Sequence, residues 1–146
     1  MKQLLVIEDG DEYAQFARAL YAGEFVVHQA KTAAATLAIL QRQSIDALLI
    51  DLRFDFASPQ DLIGDVVGTA SSLFGGDTRR AVRYLQDQQG VLILAELRKH
   101  GYPQPAVFVH DFPERRLQNL RKLYGQVTAV PAFDAAAIRR GLQGVR

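Results

Sequence analysis

The sequence predicts an α/β fold, a five-stranded parallel sheet covered by helices on both faces. Three observations lead there. Five short apolar runs alternate with stretches of helical spacing, the order that builds strand–helix–strand units. The runs are nearly continuous in apolar residues, as strands buried on both faces are. Two of them end in acid: Leu4-Leu5-Val6-Ile7 runs into Glu8-Asp9, and Ala47-Leu48-Leu49-Ile50 runs into Asp51. Sites in open parallel sheets form beyond the carboxyl ends of the strands, so these acids are the first candidates for function.

Gln3 to Ile7 reads as the first buried strand. Asp9-Gly10-Asp11-Glu12 gives a turn and an acidic first helical turn, and Tyr13, Phe16, Ala17 and Leu20 fall on one face of the helix that Gly23 stops. Phe25 to His28 is a short second strand. Lys31 to Arg42 is a helix with Ala34, Leu37, Ala38 and Leu40 suited to packing on the sheet. Ile45 to Leu52 is the third strand. Later, Val91 to His100 is helical and ends at Gly101, Pro105 to His110 is a strand, and Pro113 to Tyr124 is a helix with a basic outer face. Gln126 to Val130 is the last strand and Ala132 to Leu142 the last helix, with Ala136, Ile138 and Leu142 available for burial. This order brings Glu8, Asp9, Asp51, His110 and Val130 to one rim.

Between Arg53 and Gln89 the simple alternation stops. More than thirty residues intervene where a crossover needs only a few. Ser58-Pro59-Gln60-Asp61 has the form of a helix start, with a cap, a proline and an acid in the first turn. Leu62, Val66, Ala70, Leu73 and Phe74 make an apolar stripe, Gly75-Gly76 breaks it, and Asp77 can cap a further helix carrying Ala81, Val82 and Leu85. Gly90 either separates that helix from the next or lies inside one long helix. The stripe packs on the domain's own helix or forms a homodimer or partner surface.

Bulk properties bound the rest. A chain of 146 residues suits one domain, here 1–146, with a core of real size. A formal net charge of +1 predicts no strong nucleic-acid attraction. No cysteine is present, which excludes disulfides, thiol catalysis and cysteine-ligated metals. No apolar stretch nears the roughly 20 residues of a membrane span, and no signal-peptide pattern opens the chain, so a cytoplasmic location is the expectation. Serines Ser58, Ser71 and Ser72 have no activating histidine beside them, and the glycines at Gly64, Gly68, Gly75 and Gly76 lack a following Lys-Ser/Thr. Hydrolase and phosphate-loop chemistry therefore have no support, and the chain is not expected to be an enzyme.

The strand-end residues carry a resemblance. Leu5-Val6-Ile7-Glu8-Asp9, then Asp46-Ala47-Leu48-Leu49-Ile50-Asp51-Leu52, then Pro105-Ala106-Val107-Phe108-Val109, with Pro131 after the last strand, resemble the CheY-like receiver domain of two-component response regulators. The resemblance covers the chain except approximately 54–89, an apparent helical insertion after strand 3. It implies a flavodoxin-like doubly wound sheet of order 2-1-3-4-5. It implies Asp51 as phospho-acceptor in a phosphorelay, with Glu8, Asp9 and Asp51 holding Mg²⁺, a hard cation that takes oxygen ligands. Arg53 matches a position whose backbone carbonyl serves the metal.

Two family residues are replaced. The switch Thr/Ser position matches His110, and the phosphate-contacting Lys matches Val130; a reporter aromatic matches Val127. The chain thus resembles an atypical, stand-alone receiver, with acids kept and readout altered. Arg53, whose planar fork suits phosphate, either substitutes for the lysine, neutralises the acids or points to solvent. His110 is read as an oxyanion donor, a packing residue, or a pH-sensitive partner of the acids; a metal role beside the carboxylates suits Zn²⁺ or Mn²⁺.

Three functions follow. The first is a signal-transduction receiver acting on protein partners, a histidine kinase among them. The second is a phosphorylation-independent scaffold with a vestigial acidic pocket. The third is a small metal-dependent enzyme using Glu8, Asp9, Asp51 and His110. Arg115, Arg116, Arg121, Lys122, Arg139 and Arg140 form either a docking face or a solvated exterior. No DNA-binding module is visible, so direct nucleic-acid binding is not expected.

Overall fold

β1 (Lys2–Ile7) and β3 (Ala47–Ile50) lie side by side and parallel, with Ile7 level with Ile50. β2 (Phe25–Ala30) pairs on the outer side of β1, while β4 (Ala106–Phe108) and β5 (Val127–Ala129) follow on the far side of β3. The computed structural model, which describes residues 1–143, thus has an all-parallel sheet of order β2-β1-β3-β4-β5, the predicted topology.

Among the described residues there are six helices, α1 (Glu12–Tyr21), α2 (Ala33–Arg42), α3 (Val66–Leu73), α4 (Thr78–Lys99), α5 (Glu114–Tyr124) and α6 (Ala135–Gln143), and all but α3, which packs on α4, cover the sheet. Strand side chains alternate between faces, so the core has two halves. Leu4, Val6, Leu49 and Val107 face α1 and α6, meeting Ala14, Ala17, Tyr21, Ile138 and Leu142. Leu5, Ile7, Leu48, Ile50 and Phe108 face α2, α4 and α5, meeting Leu40, Ile93, Leu94, Leu97, Leu117 and Leu120.

Three predicted helix faces are rotated from expectation. On α1 the buried residues are Tyr13, Ala14, Ala17 and Tyr21, and Leu20 is exposed. On α2 they are Ala33, Thr36 and Leu40, while Ala34 and Ala38 face out. On α6 Ala137 is buried in place of Ala136. Alanine is small enough to sit on either side of a helix, so an alanine-rich stripe leaves the phase to the neighbours that fill the space.

The region after β3 also departs from prediction. Pro59–Asp61 forms only a 3₁₀ turn. Its continuation is diverted because Gln89, buried in α4, holds the backbone of Ile63 at both ends: its side chain accepts from the Ile63 N–H at 2.9 Å and donates to the Ile63 carbonyl at 3.1 Å. α3 starts later, at the Asp65 cap, whose carboxylate accepts from the Gly68 N–H. The proposed stripe is largely unburied, with Ala70 alone in the interior. Asp77 caps α4 as expected, and Gly90 lies inside that single long helix.

Candidate functional site

The register of β1 against β3 settles where the acids go. Glu8 and Asp9 follow Ile7, Asp51 follows Ile50, and both strand ends open on the same rim. The Asp51 N–H still donates to the Ile7 carbonyl at 3.0 Å, so the two strands stay paired up to the acid itself.

Glu8 is 2% exposed. Its two carboxylate oxygens accept from the N–H groups of Tyr13, at 3.0 Å, and Ala14, at 2.8 Å. It therefore occupies otherwise unpaired donors of the first turn of α1. Burial pushes its pKa up and those two hydrogen bonds pull against the shift. Asp9 accepts from the Phe56 N–H at 2.6 Å, which ties the segment after β3 to the rim. The Phe56 ring itself is 86% exposed. The part of the insertion that reaches the acids is this loop; α3 packs on α4 instead.

Asp51 is perturbed in the same direction as Glu8. Burial, then the negative charges of Glu8 and Asp9, raise its pKa to about 7, opposed by the Arg53 backbone N–H. A buried carboxyl with two further acids beside it is an arrangement a cation relieves. Tyr13 stands against the same acids. Its hydroxyl is raised to about 12, first by burial and then by the charge of Asp51. Its ring stacks on Phe133 at 4.5 Å, nearly parallel. Phe133 holds a left-handed backbone, φ +54°, which is uncommon for a bulky residue.

The other predicted residues have partners of their own. Arg53 makes ion pairs with Asp55 at 3.7 Å and Asp87 at 3.3 Å, and Arg83 joins both acids at 3.1 and 3.0 Å. Of the readings offered for Arg53, the structure supports neutralisation, but of Asp55 and Asp87 rather than the rim. Asp87 Oδ1 meets no N–H in line, so these contacts are Coulombic, not directed hydrogen bonds. His110 packs edge-on against Phe112, ring centres 4.7 Å apart. Burial, then the cation of Arg116, lower its pKa, with Asp111 opposing and Arg53 adding to the shift; the contact it makes is with the Phe112 ring. Val130 is buried in the apolar cluster under α1 and α6, and brings no charge to the rim. Of the six basic residues in the last two helices, Arg116 lies over Phe112 and bonds Gln88, Arg121 bonds the Val127 carbonyl, and Arg139 pairs with Glu24. Half of that basic face is therefore committed to the chain's own fold.

The donor set suits a hard divalent cation. Among the described residues no three His, Asp or Glu side chains stand ready as a closed metal cage, and Glu8 already uses both oxygens on α1. Mg²⁺ needs less than a cage: it keeps several waters and takes one or two carboxylates. Asp9 and Asp51 fit that role, with Glu8 adding charge behind them. Bound there, Mg²⁺ would neutralise the acids and polarise a phosphoryl oxygen.

No family model and no curated protein sequence matches this chain. Solved structures do. The chemotaxis protein CheY4 of Vibrio cholerae aligns over 100% of this chain and 99% of its own at 16% identity and a TM-score of 0.64. The receiver domain of the Francisella response regulator 1452 aligns over 95% and 93%, at 16% identity and a TM-score of 0.58. A response regulator of Burkholderia pseudomallei, described with a phosphorylated aspartic acid, calcium ion and citrate, aligns over 98% of this chain and 67% of its own, at 18% and 0.61. The chain has the receiver fold.

Sequence reasoning missed Tyr13 and Phe133 as parts of the receiver-fold rim. Tyr13 was legible as a buried face residue; its position beside Asp51 follows from the α1 cap by Glu8, five residues earlier. Phe133 had no signal, because its placement depends on a left-handed loop residue. No described helix is long and apolar enough to cross a membrane.

Proposed function

We propose that this chain is a receiver-type signalling module, not an enzyme, that works through protein partners, with Asp51 as phosphoryl acceptor and Mg²⁺ held by Asp9 and Asp51. The observation that carries the reading is Asp51 itself: a carboxyl at the carboxyl end of a central strand, its pKa raised to about 7 by burial and then by the charges of Glu8 and Asp9. Phosphorylation would bring nearly two further negative charges to that hollow. Glu8 keeps α1 docked at the rim, Asp9 keeps the Phe54–Ala57 loop there, and Tyr13 with Phe133 walls one side. A histidine kinase is the class of donor the receiver fold suggests. The usual lysine and switch hydroxyl are replaced by Val130 and His110, so the response differs from the ordinary one.

Titration with Mg²⁺ and beryllofluoride, a phosphoryl mimic, tests this. Amide resonances of residues flanking Asp51 should shift with the two ligands together and stay still in Asp51→Asn. A phosphorylation-independent scaffold is the second reading, favoured by one specific observation: Glu8 and Asp9 already serve as hydrogen-bond acceptors for Tyr13, Ala14 and Phe56. A folded protein that responds to neither ligand selects the scaffold.

A further inference from the structure

α3 is a layer outside the helices that cover the sheet. It rests on α4 through Ala70, leaving Val67 70% and Leu73 58% exposed. Gly75 and Gly76, both at positive φ, turn the chain after it, and the Gly76 N–H closes the helix on the Ala70 carbonyl at 2.8 Å. That turn sets Phe74 against Tyr84 of α4, edge to face at 5.9 Å. The result is an open cleft of about 370 Å³ lined by Phe74, Tyr84, Arg80, Arg83 and Asp87.

The charges of the cleft are unequal. Arg83 is already paired with Asp55 and Asp87. No described carboxylate lies within ion-pairing distance of the Arg80 guanidinium, leaving one uncommitted cation beside an aromatic floor. An anionic group joined to a large apolar side chain complements both features. Nucleic acids bring an anion and a ring too, but they are held by several cations along a backbone, and the side chains exposed beside this cleft, Leu73 and Val67, are aliphatic. A protein segment is the better match.

We propose that the α3–α4 cleft is a docking site for an acidic, apolar segment of a partner protein, with Arg80 binding a carboxylate and Phe74 and Tyr84 receiving the neighbouring side chain. The site stands on its own geometry. It deepens the signalling reading, because Asp87 and Asp55 also hold Arg53, two residues beyond Asp51.

The test uses the full chain, ¹⁵N-labelled, and the synthetic peptide acetyl-Glu-Glu-Leu-Phe-Glu-Glu-amide. Saturable amide shifts confined to Ala70 through Asp87 are expected. Arg80→Glu, a change at an exposed position, should weaken binding roughly tenfold or more by removing one charge-assisted contact, and Tyr84→Ala should weaken it independently. The same peptide with lysine for glutamate should not bind. Shifts elsewhere, equal binding of the lysine peptide, or full binding by both variants overturn the proposal. So do equal competition by oligodeoxythymidylate, which assigns the cleft to nucleic acid, and concentration-dependent shifts of the same amides without peptide, which assign it to a second copy. Failure here with a positive beryllofluoride response at Asp51 removes the cleft and leaves the receiver reading standing.

Discussion

Gly90 of α4 lies against the carbonyl of Asp51. A Cβ at Gly90 would collide with that oxygen and stand 2.9 Å from the Leu52 Cα. The approach is bonded as well as close: the Gly90 N–H donates to the Leu52 carbonyl, and the Phe54 N–H donates to the Gln86 carbonyl, each at 2.9 Å. The segment that carries Asp51 is thus sewn to the middle of a helix.

Gly90→Ala should therefore destabilise the protein by about 1–3 kcal/mol, the usual cost of forcing atoms into filled space. The sign is informative. Glycine to alanine inside a free helix stabilises by about 1 kcal/mol. Urea unfolding followed by circular dichroism decides: a raised midpoint in the variant contradicts the close approach.

Stability should fall as pH rises from about 4 to about 7. Asp51 has an ordinary pKa of 3.8 when unfolded and about 7 when folded, so across that window the folded state binds the proton more tightly. Raising the pH strips it from the folded state and removes that advantage, completely once the folded pKa is passed. Glu8 shifts in the same direction. With solvent screening at the rim, the Asp51 share is on the order of 2 kcal/mol. Asp51→Asn should be more stable than the parent at pH 8 and similar at pH 4. Parallel denaturation curves at both pH values would refute this assignment.

How much of this was legible in the sequence differs by residue. The strands were, because Leu4 to Ile7 and Ala47 to Ile50 are apolar on both faces and carry acids at one end. The placement of Glu8 and Asp51 at neighbouring strand tips followed from topology. The phases of α1, α2 and α6 were misread where alanines or a tyrosine replace larger aliphatics. The helix expected from Ser58 was lost to one long-range contact, Gln89 with Ile63, and Arg53 found its acid in Asp87. Both partners lie far along the chain, and local pattern says nothing about such pairs.

The Tyr13–Phe133 stack should contribute about 0.5–1.5 kcal/mol beyond simple burial. Phe133→Ala loses it while keeping a side chain at φ +54°. Phe133→Gly loses it too but relieves the backbone. Thermal unfolding should rank the parent first, then Phe133→Gly, then Phe133→Ala. The reverse order of the two variants would show that this loop does not hold its left-handed turn.

The central claim is that Glu8, Asp9 and Asp51 share one hollow. Carbon-13 NMR of the Asp51 side-chain carboxyl, titrated with and without Mg²⁺, tests it most directly. The account predicts a midpoint near pH 7 in the free protein, lowered by Mg²⁺ as the cation favours the ionised form. A midpoint near the ordinary aspartate value, unmoved by Mg²⁺, would contradict it.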